Sequence, residues 1–272
     1  MDDFSMEDYI LHYGVKGMKW GVRKDRNKGF IRTPKQRKQE RIVEEGGTIV
    51  PIGTTFNRIS TKAEKNPHPT RSYVTYTEVD HDYYKQHMTN FRSRNFTRQM
   101  YDVSLKNIKD VAYPSHEKQV DEFVKLYGKH KVRVINDMAT ESADRIARIN
   151  TGQPLNRLPK DFQKELRGVY TKKYSELNAD ELRSFGYEEF IRTYSEIPVA
   201  RVYEKQLRKQ GYNAIRDDND ILYNRMDSIN PEKSIVVFEP SRNLKVTGSV
   251  PLTRSEYDAA VARNSKRRKK SA

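Results

Sequence analysis

The 272-residue chain contains no cysteine, which removes disulfides, thiolate metal sites and cysteine nucleophiles together. No run of about 18 apolar residues occurs, so no stretch has the length of a membrane-spanning helix. The opening Met1-Asp2-Asp3-Phe4 is acidic and lacks an apolar stretch, and it does not read as a signal peptide. Neither G-x-x-x-x-G-K-[ST] nor G-x-G-x-x-G is present, and G-x-S-x-G is absent too. The common phosphate loops and the nucleophile elbow are thereby excluded. The six histidines are scattered. His81-Asp82 beside Asp80 is their one local cluster, and without a second histidine at helical spacing no metal site is expected. A soluble protein of the cytoplasm, or of a particle assembled there, fits these absences.

What the chain has is charge. Hydrophobic residues make up 35% and charged residues 33%, and the mean hydropathy is −0.96. Such a chain can build a core, with much of its length left as surface, arm or tail. The net charge of +15 sits at the ends. Residues 16–41 hold eleven Lys/Arg against Asp25 and Glu40, which gives +9. The run Lys266-Arg267-Arg268-Lys269-Lys270 adds +5, so the middle is nearly neutral. Basic ends of this kind bind phosphates non-specifically with counterion release. They equally serve as solvated runs that maintain solubility.

The pattern along the chain predicts an α+β protein. Residues 1–45 read as an extended basic arm, with recurrent glycines and Pro34 as an interruption. Gly46-Gly47 marks a boundary, and a domain over 46–250 follows. Strands or hairpins are expected over 48–60, 72–77 and 101–105, with a loop over 62–69 and a short helix over 80–86. Ser115 is placed to cap a helix that Gly128 stops after Tyr127, and a second helix covers 132–148. Further helices are expected over 162–174, over 181–194 behind the capping-box pattern Asn178-Ala179-Asp180-Glu181, and over 200–210 up to Gly211. Strands return at 212–215, 234–238 and 244–246. Residues 251–272 read as a short helix and a basic tail. Strands at both ends with helices between them argue against regular βα alternation.

Residues 12–23 read His12-Tyr13-Gly14-Val15-Lys16-Gly17-Met18-Lys19-Trp20-Gly21-Val22-Arg23. Glycines allow close backbone approach, and a lone tryptophan among cations has the composition of an anchor that buries on contact. Packing of Trp20 onto the chain's own surface is the alternative. The string resembles a short sequence carried near the ends of phage and prophage head-gene-cluster proteins. That resemblance implies a phage origin, a place in the host bacterial cytoplasm or the virion, and phage capsid or head proteins as partners. His12, Tyr13, Met18, Trp20 and Arg23 would make the contact.

Three stretches are taken together. Gly53-Thr54-Thr55-Phe56-Asn57-Arg58-Ile59-Ser60 resembles the first active-site strand of ADP-ribosyltransferases. Tyr73-Val74-Thr75-Tyr76-Thr77 is similar to the second, where a Ser-Thr-Ser strand normally stands. The segment from Gly211 through Asp217, Asp218 and Asp220, then Pro231-Glu232 and Ser234-Ile235-Val236-Val237-Phe238, resembles the closing part, with Asn230 at the earlier position of an acidic or amide pair. The resemblance implies a split β-sheet core with a helical insertion, and transfer of ADP-ribose from NAD to a host or phage macromolecule. NAD would be the substrate, with no metal. Glu232 would hold the ribose and stabilise an oxocarbenium-like state. Arg58 would grip the pyrophosphate through its planar fork. Thr75 and Thr77 would share a strand face and orient the carboxylate, with Tyr83 or Tyr84 covering nicotinamide, and with Asp217 and Asp218 in reserve near the cofactor. Each residue has a plainer reading: Arg58 in an ion pair, the threonines as strand formers, Asp217 to Asp220 as a turn, Glu232 in a solvated loop. The alternative function is a non-catalytic head or assembly protein that keeps a degenerate transferase fold and binds capsid or DNA through its basic ends.

Overall fold

The computed structural model describes residues 33–87, 99–217 and 234–271. The chain divides into two units, Met1–Arg41 and Ile42–Ala272. In the first, the end of the expected extended arm is helical: α1 spans Pro34–Glu44. Thr33 and Gln36 form its start reciprocally, the Gln36 amide nitrogen of the backbone donating to Thr33 Oγ1 and the Thr33 N–H to Gln36 Oε1. Pro34 therefore opens a helix, where its missing N–H has no intrahelical partner to lose, instead of interrupting an arm.

The second unit is α+β, with eight strands among the described residues in small antiparallel sheets. β1 (Thr48–Val50) pairs with β5 (Val111–Tyr113). β2 (Thr55–Ser60), β4 (Tyr101–Asn107) and β8 (Leu244–Pro251) form one three-stranded sheet, with β4 central. β3 (Arg71–Val74), β7 (Ile235–Phe238) and β6 (Ala214–Arg216) form another, with β7 central. The expected strand over 48–60 is thus two strands in different sheets, separated at Gly53, whose φ of 92° suits glycine. Asn213 stitches β5 to the β6 side: its N–H donates to the Ala112 carbonyl, and its Oδ1 accepts from the Ala112 N–H at 2.7 Å.

The run Ile235-Val236-Val237-Phe238 is buried throughout because β7 is covered on both faces. Val236 and Phe238 join a core with Phe123, Leu126, Phe190 and Leu207 from the helices. Ile235 and Val237 join a second core with Phe56, Val103 and Leu105 of the β2–β4–β8 sheet. Alternation along one strand thereby binds three layers together, helices, sheet and sheet.

The helical part lies between β5 and β6 in sequence. α3 spans His116–Thr151 as two helical halves that meet at a kink, where His130 leaves helical geometry (φ −132°, ψ 34°). Ser115 caps it as expected, accepting from the Lys118 N–H. The break expected at Gly128 falls two residues later, at His130, between the two helices read from the sequence. Phe123, Leu126 and Tyr127 before the kink, and Val134, Ile135 and Met138 after it, face one core, so both halves pack on the same surface. α4 covers Lys160–Ser175. The capping box at Asn178 and Glu181 forms as read, then the chain widens through a π turn at Leu182–Gly186 into α5 (Tyr187–Thr193). α6 (Ala200–Gln210) ends at Gly211, φ 102°. α2 (Glu78–His87) packs on the β2–β4–β8 sheet, and α7 (Arg254–Ser271) packs on α2, continuing as helix through the run expected to be a basic tail.

Candidate functional site

The β2 and β3 edges meet at one point. Asn57 and Thr75 exchange backbone hydrogen bonds of 2.8 Å in each direction. Thr75 is buried, and its hydroxyl donates to the Asn57 carbonyl at 3.2 Å. Arg58, the next residue on β2, turns its guanidinium toward the start of β3. One Nη donates weakly to Ser72 Oγ at 3.5 Å, and the other lies 3.5 Å from Glu64 Oε1. Arg58 Nε and Glu64 Oε2 are buried with no hydrogen-bond partner, an incomplete arrangement for a charged pair. The Glu64 N–H is held by Ser249 Oγ on β8.

The sheet register brings in a third strand. Val74 pairs with Ile235, and Ile235 with Arg216, so Thr75, Ser234 and Asp217 stand at one end of the β3–β7–β6 sheet. The Asp217 N–H donates to the Ser234 carbonyl at 2.8 Å. Thr75 and Asp217 therefore follow the two outer strands at the same end of that sheet, and Arg58 stands next to Asn57, the bridge partner of Thr75. Asp218 and Glu232 lie outside the described residues, as do His12, Tyr13, Met18, Trp20 and Arg23.

Thr77, Tyr83 and Tyr84 are placed differently from expectation. β3 ends at Val74, and the Thr77 carbonyl accepts from the His81 N–H at the start of α2. Thr77 thus belongs to a helix start and shares no strand face with Thr75. Tyr83 is fully buried and Tyr84 nearly so, packed with Ile59, Met100 and Leu252. Rings committed to that cluster stabilise the docking of α2 and have no exposed face for a nicotinamide.

Adjacent residues on α2 diverge because a helix turns about 100° per residue. His81 Nε2 lies 2.9 Å from Asp102 Oδ2, and Lys85 Nζ lies 2.6 Å from the same oxygen. Burial pushes the Asp102 carboxyl up, but His81 and Lys85 outweigh it and hold the group below the usual carboxylate range. His81 Nδ1 and Asp102 Oδ1 are buried without partners. Asp82 points instead to α7, accepting from Arg263 Nε and Nη2 and from Arg267 Nη1. The apparent His81-Asp82 cluster is therefore two separate sites, and Arg267 of the basic run is engaged in an internal ion pair. Among the described residues no group of three His, Asp or Glu side chains is arranged to hold a metal.

Sequence reading missed Glu64 and Ser72 beside Arg58, and Asp102 beside His81. These contacts join residues from 6 to 21 positions apart through loops and strand pairing, with no periodic or motif signal.

A family of unknown function, DUF7211, matches residues 2–27. That span contains residues 12–23 and stops short of the described structure. No curated protein and no solved structure matches the chain.

Proposed function

We propose that the second unit is an ADP-ribosyltransferase-like enzyme that takes NAD at the junction of β2 and β3, borne by a phage- or prophage-encoded protein whose arm docks on head proteins. The observation that carries it is that Thr75, bonded to Asn57 beside Arg58, stands at the same end of the β3–β7–β6 sheet as Ser234. Ser234 follows Glu232 by two residues in sequence and stands at the same sheet end as Thr75. In this reading the Arg58 fork receives pyrophosphate, and each charge-assisted bond contributes about 1.5–3 kcal/mol. Glu232 stabilises the positive charge that develops on the ribose as nicotinamide leaves.

The test incubates the full chain with labelled NAD and bacterial lysate. Wild type is expected to release nicotinamide or transfer label, with Glu232→Gln slower by roughly 10²–10³-fold. Absence of both activities in wild type, or equality with Glu232→Gln, rejects the enzyme. Glu64→Gln is informative: releasing the Arg58 fork should lower KM for NAD.

One observation favours the non-catalytic alternative. The Arg58 guanidinium already faces Glu64 and Ser72, and the Thr75 hydroxyl is committed to the Asn57 carbonyl. A head or assembly protein needs nothing more from those residues than sheet closure. Capsid or DNA would then be held through the arm, and removing residues 1–33 should abolish co-sedimentation with phage particles while NAD handling is absent throughout.

A further inference from the structure

The helical part carries a second feature that neither reading uses, a groove of about 840 Å³ between α3 and α4. Its walls include Lys160, Lys164, Arg167 and Lys172, and no acidic residue. Lys160, Lys164 and Arg167 recur at i, i+4 and i+7 of α4 and share one stripe, while Lys172 lines the groove from its flank, about 120° round the helix from Lys160. The acids of α4, Asp161 and Glu165, lie on that flank and are not among the groove's walls. Lys160 to Lys172 spans about 18 Å at about 1.5 Å per residue. All four cations are exposed, and none forms an ion pair among the described residues. This contrasts with Arg71, Arg145, Arg192, Arg263 and Arg267, each of which faces a buried carboxylate.

The rest of the lining identifies the class of ligand. The opposite wall is Asn136 and Thr140 of α3, and Thr171 and Ser175 add hydroxyls from α4. Side chains of these types contact phosphate and sugar oxygens. The only apolar lining residues are Ala139 and Gly168. A lipid surface needs apolar side chains to insert, and a peptide interface centres on buried aromatic or Arg anchors in pockets, whereas these four cations are all exposed. With no aromatic in the walls there is no stacking platform for bases. A linear row of cations among hydroxyls and amides fits a repeating anion best.

We propose that the α3–α4 groove binds the phosphodiester backbone of a nucleic acid without reading its sequence. The site is separate from the basic arm and from α7, and it holds whether or not the strand junction turns over NAD. Gly168 provides a probe of the groove itself, because a Cβ added there meets no atom within 4 Å. A side chain at 168 therefore enters the groove without disturbing the helix, and glutamate is a better helix former than glycine.

The experiment uses the full chain and fluorescein-labelled DNA of about 20 nucleotides, single-stranded and duplex, with anisotropy read across a potassium chloride series. The variants are Lys164→Gln with Arg167→Gln, and Gly168→Glu. Lys205→Gln with Lys209→Gln on α6 is the charge-matched control. Removing two phosphate contacts should reduce the log K against log salt slope by about 1.4 for single strands or about 1.8 for duplex. Affinity at about 0.1 M salt should fall roughly tenfold or more in the double groove variant, and clearly in Gly168→Glu, with helix content unchanged by circular dichroism. The α6 control should stay within about twofold of wild type. Groove variants that bind DNA no worse than the α6 control overturn the proposal. So does competition by polyglutamate or anionic vesicles that matches DNA and shows the same groove dependence, since the occupant is then a peptide or a membrane.

Discussion

Asp82→Asn tests how the C-terminal helix is held. The Asp82 side chain is 2% exposed and accepts three charge-assisted hydrogen bonds, at 2.8 and 2.6 Å from Arg263 and 2.8 Å from Arg267. Removing one partner from a buried ion pair costs about 3–5 kcal/mol. Here the cations keep 41% and 25% of their side-chain exposure, so water recovers part of their solvation and the expected loss is about 2–3 kcal/mol. The buried hydrogen bond from Asn264 to Gln86 survives the substitution, so α7 should loosen without global unfolding. Native-state hydrogen exchange over Arg254–Ser271 reads this directly, with opening roughly 30- to 150-fold more frequent in the variant. The pH dependence has a definite sign. Burial pushes the Asp82 carboxyl up, but Arg263 and Arg267 outweigh it and hold it below the usual range. Its contribution is complete above the unfolded value of about 3.9 and is lost as pH falls through the folded value. Wild-type protection of α7 should therefore decline below about pH 4, while Asp82→Asn shows a flatter profile. Equal protection of α7 in the two proteins at neutral pH would refute the clamp.

Three further outcomes follow from the packing. Glu204→Gln weakens the buried contact to Arg71, which the Tyr194 and Ser195 carbonyls only partly replace; urea unfolding should show a loss of about 2–3 kcal/mol. Asn213→Ala deletes the side-chain bonds to Ala112, Asp110 and Asn243, and the same measurement should give about 2–3 kcal/mol, with Asn213→Asp failing to restore it because the donor is lost. Two glycines should respond oppositely to alanine: Gly211→Ala costs about 1–2 kcal/mol because φ is 102° there, whereas Gly168→Ala within α4 should stabilise by up to about 1 kcal/mol.

Local signals were legible wherever local energetics decide. The Ser115 cap, the Asn178–Glu181 capping box and the Gly211 stop depend on groups within a few residues, and each forms. Expectations failed where a distant surface outweighed a local preference. Thr75-Tyr76-Thr77 reads as strand, but α2 begins at once and separates the two threonines. Tyr83 or Tyr84 is expected to cover nicotinamide, but docking of α2 buries both.

The sequence by itself determined the α+β class, the charge at the two ends, the adjacency of Arg58 and Asn57, and the phosphate-loop and thiol chemistry that is absent. These are properties of composition and of neighbours in the chain. Tertiary structure alone decided that Thr75 lies against Asn57, that Glu64 faces Arg58, and that Asp82 engages Arg267 of the basic run. It also decided that four cations of α4 line one groove with α3. Such facts depend on which strand edges and helix faces meet, and no periodicity or spacing within a segment encodes a partner on another element.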